Sequence, residues 1–401
     1  MQPKDERERA ALEAIDRDRL IDTATRLVAQ HSPTCHTAAA ADELERVATE
    51  AGFAVERPVA DWPESPAVVA RITAAAAAAA GATDPSGRVL QFDGHLDTVE
   101  QLPFVPPTVA DGVLTGSGAA DMKGGFAAAV EAMRALQDSG GLPRGGVLLT
   151  AHDHHEAPSG DGRQLLALAR DGYVGDAALI PEYLGDQLPL AGRGMAVFRL
   201  ELARPGGAVH EVFREERPDV LLALADAAGR LRQLDEELSA EAGDVERAAR
   251  DTVFVGQMHA GEMYNQASPE AALEGTRRWV TPGDQDPAIA ALERIARSVG
   301  ADHGVEAAVQ VQMRMEAFQI GADHELVGLL LGTYADVTGR ELPTGVKPFG
   351  DDGNRLAHAA GIPVLTHGPV ATGAHTVEER APLDELLRVA QVYALMALRF
   401  C

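Results

Sequence analysis

Three apolar stretches, RVLQFDGHLDTV (88–99), GGVLLTAHD (145–153) and DAALIPEYLGD (176–186), each run into histidine or acid at their carboxyl ends. A strand that is apolar without alternation must be covered on both faces, which is the environment of a parallel sheet between helices. The first two are separated by DMKGGFAAAVEAMRALQDSGG (121–141), a glycine-marked loop followed by apolar residues spaced three and four apart, hence a helix. Strand–helix–strand alternation predicts an α/β fold: a mostly parallel central sheet with helices on both faces. Ligands in such folds bind beyond the carboxyl ends of the strands, which is where these polar residues fall.

The remaining chain extends this pattern and interrupts it once. Residues 5–30 read as one amphipathic helix stopped by Pro33, and AAAADELERVATEAG as a second closed by Gly52. FAVERPV and AVVARI are strand-like, and the Asp-Gly of PTVADGVL marks a hairpin. The run Ala74–Ala80 and the GATDPSG after it read as a surface connection. Near Gly192 the texture changes to alternating strands and two long amphipathic helices. Residues 193–316 read as a β-α-β-β-α-β insert, an α+β ferredoxin-like domain with one face of its sheet open. The first domain is then discontinuous, 1–192 and 317–401, and two domains suit 401 residues.

Composition removes several classes of function. A formal net charge of −26 repels phosphate backbones and anionic membrane faces, so nucleic acid and membranes are not expected partners. The two cysteines, Cys35 and Cys401, form no ligand spacing. The charged opening MQPKDERERAALEAIDRDRL has no apolar signal core, and no apolar run approaches the length of a membrane span, so a cytoplasmic protein is expected.

His95 and Asp97 stand at one strand end, Asp121 in GSGAADMKGG, Glu156 at the end of the dense run DHHE, Glu182 in PEYLGD and His375 in GAHTVEE. Two histidines with three carboxylates suit zinc or a related divalent ion. Because a carboxylate can bridge, the set is large enough for two ions.

In order and spacing, these motifs resemble the dinuclear-zinc hydrolases that include aminoacylase, acetylornithine deacetylase, succinyl-diaminopimelate desuccinylase and glutamate carboxypeptidase. The resemblance covers essentially the whole chain. It implies that Asp121 bridges two Zn2+ ions (Co2+ or Mn2+ also fit the ligands), with His95 and Glu182 on one and Glu156 and His375 on the other. It implies a cis peptide after Asp121 and an Asp97 that orients the His95 ring. It implies a substrate with an amide beside a free carboxylate, an N-acyl amino acid or short peptide, and a homodimer formed through the inserted lid and dimerisation domain.

At one position the sequence departs from the family. Where that family has a glutamate as general base, beside the ligand glutamate, this chain has His155. A neutral imidazole can take a proton near neutral pH. Asp153 in a shifted register is a second candidate, and His154 or His155 as a further metal ligand a third. A site turned to another reaction (deamination, carbamoyl hydrolysis or amide formation) or only to metal binding is a fourth. In the insert, the resemblance makes His210 a donor to the oxyanion, and Asn265 with Arg277 or Arg278 the grip on the substrate carboxylate. Gly368 falls in a loop lining the substrate pocket. Asp351 and Asp352 receive no role; Glu378 and Glu379 support the His375 loop or face water.

Overall fold

The computed structural model describes residues 5–74, 87–214 and 218–401. The low-complexity run after Ala74 lies outside them. The chain divides into two compact units: Met1–Leu190 with Ile320–Gly345 and Arg355–Cys401, and Ala191–Gln319 with Val346–Asn354.

In the first unit the strand Val89–His95 lies between Gly146–His152 and Ala177–Ile180, parallel to both, and Val364–Thr366 extends the parallel set. Ala54–Glu56 and Val68–Thr73 add an antiparallel edge. This is the mixed, mostly parallel α/β sheet expected. Every residue of Gly146–His152 is buried, because helices cover the sheet. The helix Lys123–Asp138 makes the crossover between the first two parallel strands, as a parallel pair requires. Its start presses on the sheet where Gly94 leaves room: a Cβ there would lie 2.2 Å from Met122 Cε. Behind the sheet, Phe92 stacks on Tyr393 of the helix Leu383–Phe400, ring centroids 4.6 Å apart.

The expected single N-terminal helix is two, Glu6–Glu13 and Arg17–Val28. Asp16 causes the break: its extended backbone and side chain cap the amides of Asp18 and Arg19, a role open to aspartate at a helix start. The Asp-Gly hairpin forms between Thr108–Ala110 and Val113–Thr115.

The second unit has the ferredoxin-like plan. Its antiparallel sheet runs in the order Thr252–Ala260, Glu270–Trp279, Gly194–Ala203, Glu306–Met315. The helices Val220–Ala242 and Gln285–His303 share a core with that sheet, built on residues such as Phe198, Leu224, Leu273 and Leu292. The segment Val346–Asn354, assigned from sequence to the other domain, belongs to this unit. Arg193 donates to the Pro348 carbonyl, Asn354 donates to the Glu316 carbonyl at 2.8 Å, and Asp351 forms a buried ion pair with Lys347.

Candidate metal centre

His95 closes its strand, Glu182 stands just past Ala177–Ile180, and Glu156 lies in the turn after Gly146–His152. His375 comes from the loop beyond Val364–Thr366. Asp121 does not come from a strand of the central sheet; it sits in the turn before the helix Lys123–Asp138. The peptide Asp121–Met122 is cis.

These five side chains meet. Asp121 Oδ1 lies 3.1 Å from His95 Nε2, and Oδ2 lies 3.1 Å from His375 Nε2. On the first side Glu182 Oε1 is 3.6 Å from His95 Nε2; on the second Glu156 Oε1 is 3.0 Å from His375 Nε2. The aspartate thus faces two histidine–glutamate pairs with different oxygens. Cys35, His154 and His375, in the segments that carry the site, hold left-handed backbones, as do Ala60, Asp61 and Asp111 elsewhere.

The electrostatics test whether cations suit the group. Burial alone would depress His95, yet the carboxylates of Asp121 and Glu182 hold it well above the usual imidazole range. His375, bonded to Asp121 and Glu156, is pushed up to about 10. Burial and then the charge of Asp121 push Glu182 up to about 8. Protons are therefore retained where three buried carboxylates converge, and Glu182 Oε2 has no hydrogen-bond partner among the described residues. Divalent cations would displace those protons and satisfy that oxygen. The donors, two imidazoles and three carboxylates, fit that group.

Asp97 behaves differently from expectation. His95 Nδ1 bonds to the main-chain oxygen of Asp97 at 3.0 Å, while the carboxylate is 3.6 Å away. That bond leaves Nε2 as the nitrogen turned toward Asp121. The Asp97 carboxylate instead accepts from the amides of His155 and Glu156 and from the Thr34 hydroxyl, at 3.0, 2.8 and 2.9 Å. It fixes the turn that carries both residues.

The DHHE run now separates into roles. Asp153 is fully buried and accepts from Cys35 N, Thr37 Oγ1 and His154 N, so its oxygens are committed to structure. His154 packs edge-on to Trp62, ring centroids 4.4 Å apart. His155 stacks on His95, with centroids 3.9 Å apart and planes 9° from parallel. Its nearest nitrogen lies within 4.8 Å of ligand atoms of His95 and Glu182, close enough to suggest a ligand. Orientation argues otherwise: imidazole lone pairs lie in the ring plane, and two stacked planes cannot both contain one ion. Orientation is the stricter criterion.

Asp121, Glu156 and His375 open onto a recess lined by His31, Val99, Leu102, Phe104 and Thr376. Nothing in the spacing of these loop residues marks them in the sequence. Of the two acids after His375, Glu378 faces water, while Glu379 is buried and pushed up to about 7 by burial and by Asp121. Gly368 supports Glu182: a Cβ at this glycine would stand 2.0 Å from the Glu182 carbonyl oxygen.

The residues expected to act from the second unit do not form one group. Asn265 lies in the loop between Ala260 and Glu270, whereas Arg277 and Arg278 stand at the opposite end of the strand Glu270–Trp279, about 25 Å away. The expected joint grip of Asn265 and an arginine on one carboxylate is therefore not formed within this chain. His210 Nε2 and Asn265 Nδ2 are 3.0 Å apart. Arg277 is engaged by Asp251, Nη2 to Oδ2 at 2.8 Å, whereas Arg278 Nη1 is buried without a partner among the described residues. Burial alone lowers the Arg278 guanidinium.

An α/β unit that gathers histidines and carboxylates beyond its strand ends defines a metal-dependent hydrolase. The chain belongs to the peptidase family M20/M25/M40, whose model matches residues 91–399. A succinyl-diaminopimelate desuccinylase of Gluconacetobacter diazotrophicus is 30% identical over 329 residues, covering 77% of this chain and 80% of that one. The aminopeptidase PepT of Bacillus cereus superposes with a TM-score of 0.77 at 19% identity, over 96% of this chain and 100% of the other. A dinuclear metal-binding peptidase of the same family from Bacillus subtilis gives 0.65 at 16% identity, over 96% and 98%. The protein is a metallohydrolase of the peptidase and deacylase kind.

Proposed function

We propose that the protein hydrolyses the amide bond of an N-acyl amino acid or short peptide with a free carboxylate, using two cations that share Asp121. The observation that carries this reading is the division of the Asp121 carboxylate, one oxygen toward His95 and the other toward His375. His95 and Glu182 would hold one ion and Glu156 and His375 the other, with Zn2+ first in preference and Co2+ or Mn2+ suited to the same donors. When bound, the ions supply polarisation of the scissile carbonyl and a water acidified toward neutral pH.

The chain's own residues do the rest. His155, fixed through its amide to Asp97 and through its ring to His95, is the proton acceptor and later the donor to the leaving amine. Arg278, whose Nη1 is buried without a partner among the described residues, receives the substrate carboxylate. His210 donates to the oxygen on which negative charge develops. A homodimer through the second unit fits its edge strand Thr252–Ala260, where Phe254 and Met258 are exposed, and the fully exposed Tyr264. Unpaired Cys35 and Cys401 suit a reducing cytoplasm.

A second reading, another reaction on the same cluster, is favoured by the imidazole at position 155 where the family has a glutamate. The test is a mass-spectrometric screen of zinc-loaded protein against mixed N-acyl amino acids and dipeptides, with His95→Ala as control. Cleavage that disappears in the control supports amide hydrolysis. No cleavage by protein that holds two ions contradicts it, and His155→Glu then asks whether restoring the carboxylate creates the activity.

A further inference from the structure

Glu379 is outside the five-residue cluster, yet more main-chain donors end on it than on any ligand there. Gly118 N donates to Oε2 at 2.8 Å; Ala120 N and Asp121 N donate to Oε1 at 3.0 and 2.7 Å. Its own carbonyl oxygen accepts from Gly116 N at 3.2 Å. These amides belong to the turn before the helix Lys123–Asp138, where hydrogen-bond donors have no partner within the helix. A carboxylate serves all three and complements the positive end of the helix. An amide side chain would turn its own NH2 toward one of the donors.

Glu379 also lies four residues beyond His375. That loop is closed by paired main-chain bonds between Thr372 and Arg380, at 3.1 and 2.9 Å, and by Thr376 N to the Gly373 oxygen at 3.0 Å. One side chain therefore joins the turn of Asp121 to the loop of His375. On the other side, His95 and Glu182 stand at ends of the central sheet and are placed by strand pairing and by the tight approach of Gly368.

Building on the two-cation reading, we infer that Glu379 is a positioning residue that sets Asp121 against His375, so that cation affinity on the Glu156–His375 side depends on it far more than affinity on the His95–Glu182 side. On the Glu156–His375 side Glu379 joins two of the three elements that meet, the Asp121 turn and the His375 loop. On the other, it reaches only the shared Asp121.

The test is calorimetric titration of metal-free wild type, Glu379→Ala, Glu379→Gln and the neighbouring control Glu378→Ala with Zn2+, with thermal melting to confirm folding. Wild type and the control should bind two ions. Glu379→Ala should bind one nearly as before and the second about 10–100-fold more weakly. Glu379→Gln keeps an oxygen for two of the three donors and should fall between. Two sites of wild-type affinity in Glu379→Ala, or in Glu379→Gln should the alanine variant not fold, would overturn the inference. Equal weakening of both sites would overturn it as well. A wild type that binds fewer than two ions would remove the two-cation reading and this inference together.

Discussion

The two sides of Asp121 use similar donors and are built from different material. His95 is wholly buried at the end of a central strand, and Glu182 is pinned from behind by Gly368. His375 has 53% of its side chain exposed and sits in a loop with a left-handed backbone. Glu156 lies in a turn held by the Asp97 carboxylate. One half is rigid because the sheet is rigid; the other is rigid only as far as a few carboxylate–amide bonds make it so. Ion affinity, tolerance of substitution and response to pH should differ accordingly.

The largest effect is expected where the halves join. Asp121→Asn removes a charge from both and should abolish amide hydrolysis and leave at most one bound ion, read by elemental analysis after dialysis. Replacing His155 tests chemistry apart from binding: His155→Ala should lower kcat about 10²–10⁴-fold with both ions kept. Loss of an ion in that variant would make His155 a ligand after all.

Gly368→Ala should damage only the sheet side. Its Cβ has no room beside the Glu182 carbonyl, so an overpacking cost of about 1–3 kcal/mol and a weakened His95–Glu182 ion are expected, measured by melting and titration. In metal-free protein, His95→Ala should lower Tm by several degrees, because it removes a fully buried ring stacked on His155 at the end of a central strand. His375→Ala, which removes a ring half open to solvent, should shift it much less. Equal shifts would erase the contrast.

The smallest effect concerns acid. His367, one residue before Gly368, is fully buried; burial first and then the charge of Arg388 hold it well below the usual imidazole value. Its Nε2 accepts from Arg388 Nη1 at 2.9 Å, and Tyr334 and Tyr393 pack around the ring. The unfolded chain takes up this proton near pH 6.5 and the folded chain only at lower pH. The stabilising contribution is therefore complete above about pH 6.5 and lost progressively as pH falls below it. Tm against pH should decline less steeply in His367→Gln than in wild type over that interval.

The sheet half was readable in the sequence and the loop half only partly. Buried apolar runs that end in His95 and Glu182 declare both strand and site, because continuous apolarity has few other uses in a chain this acidic. His375 and Asp121 lie in loops, where local composition does not fix geometry: their residue types offered them as ligands, and only a resemblance of motifs gave each its side of the site. The roles of supporting residues were legible only in outline. Asp97 caps a turn through its carboxylate and holds His95 through its carbonyl oxygen, a division no spacing encodes. Which of Arg277 and Arg278 is free depends on Asp251, far away in sequence until the sheet pairs Thr252 with Arg278. The break after Glu13 depended on one capping aspartate inside an otherwise continuous helical pattern.

The most direct measurement is anomalous diffraction at the zinc edge from crystals grown with Zn2+. Two peaks should flank Asp121, one contacted by His95 and Glu182 and the other by Glu156 and His375, with the His155 ring contacting neither. A single peak, or a peak ligated by His155, would contradict that assignment.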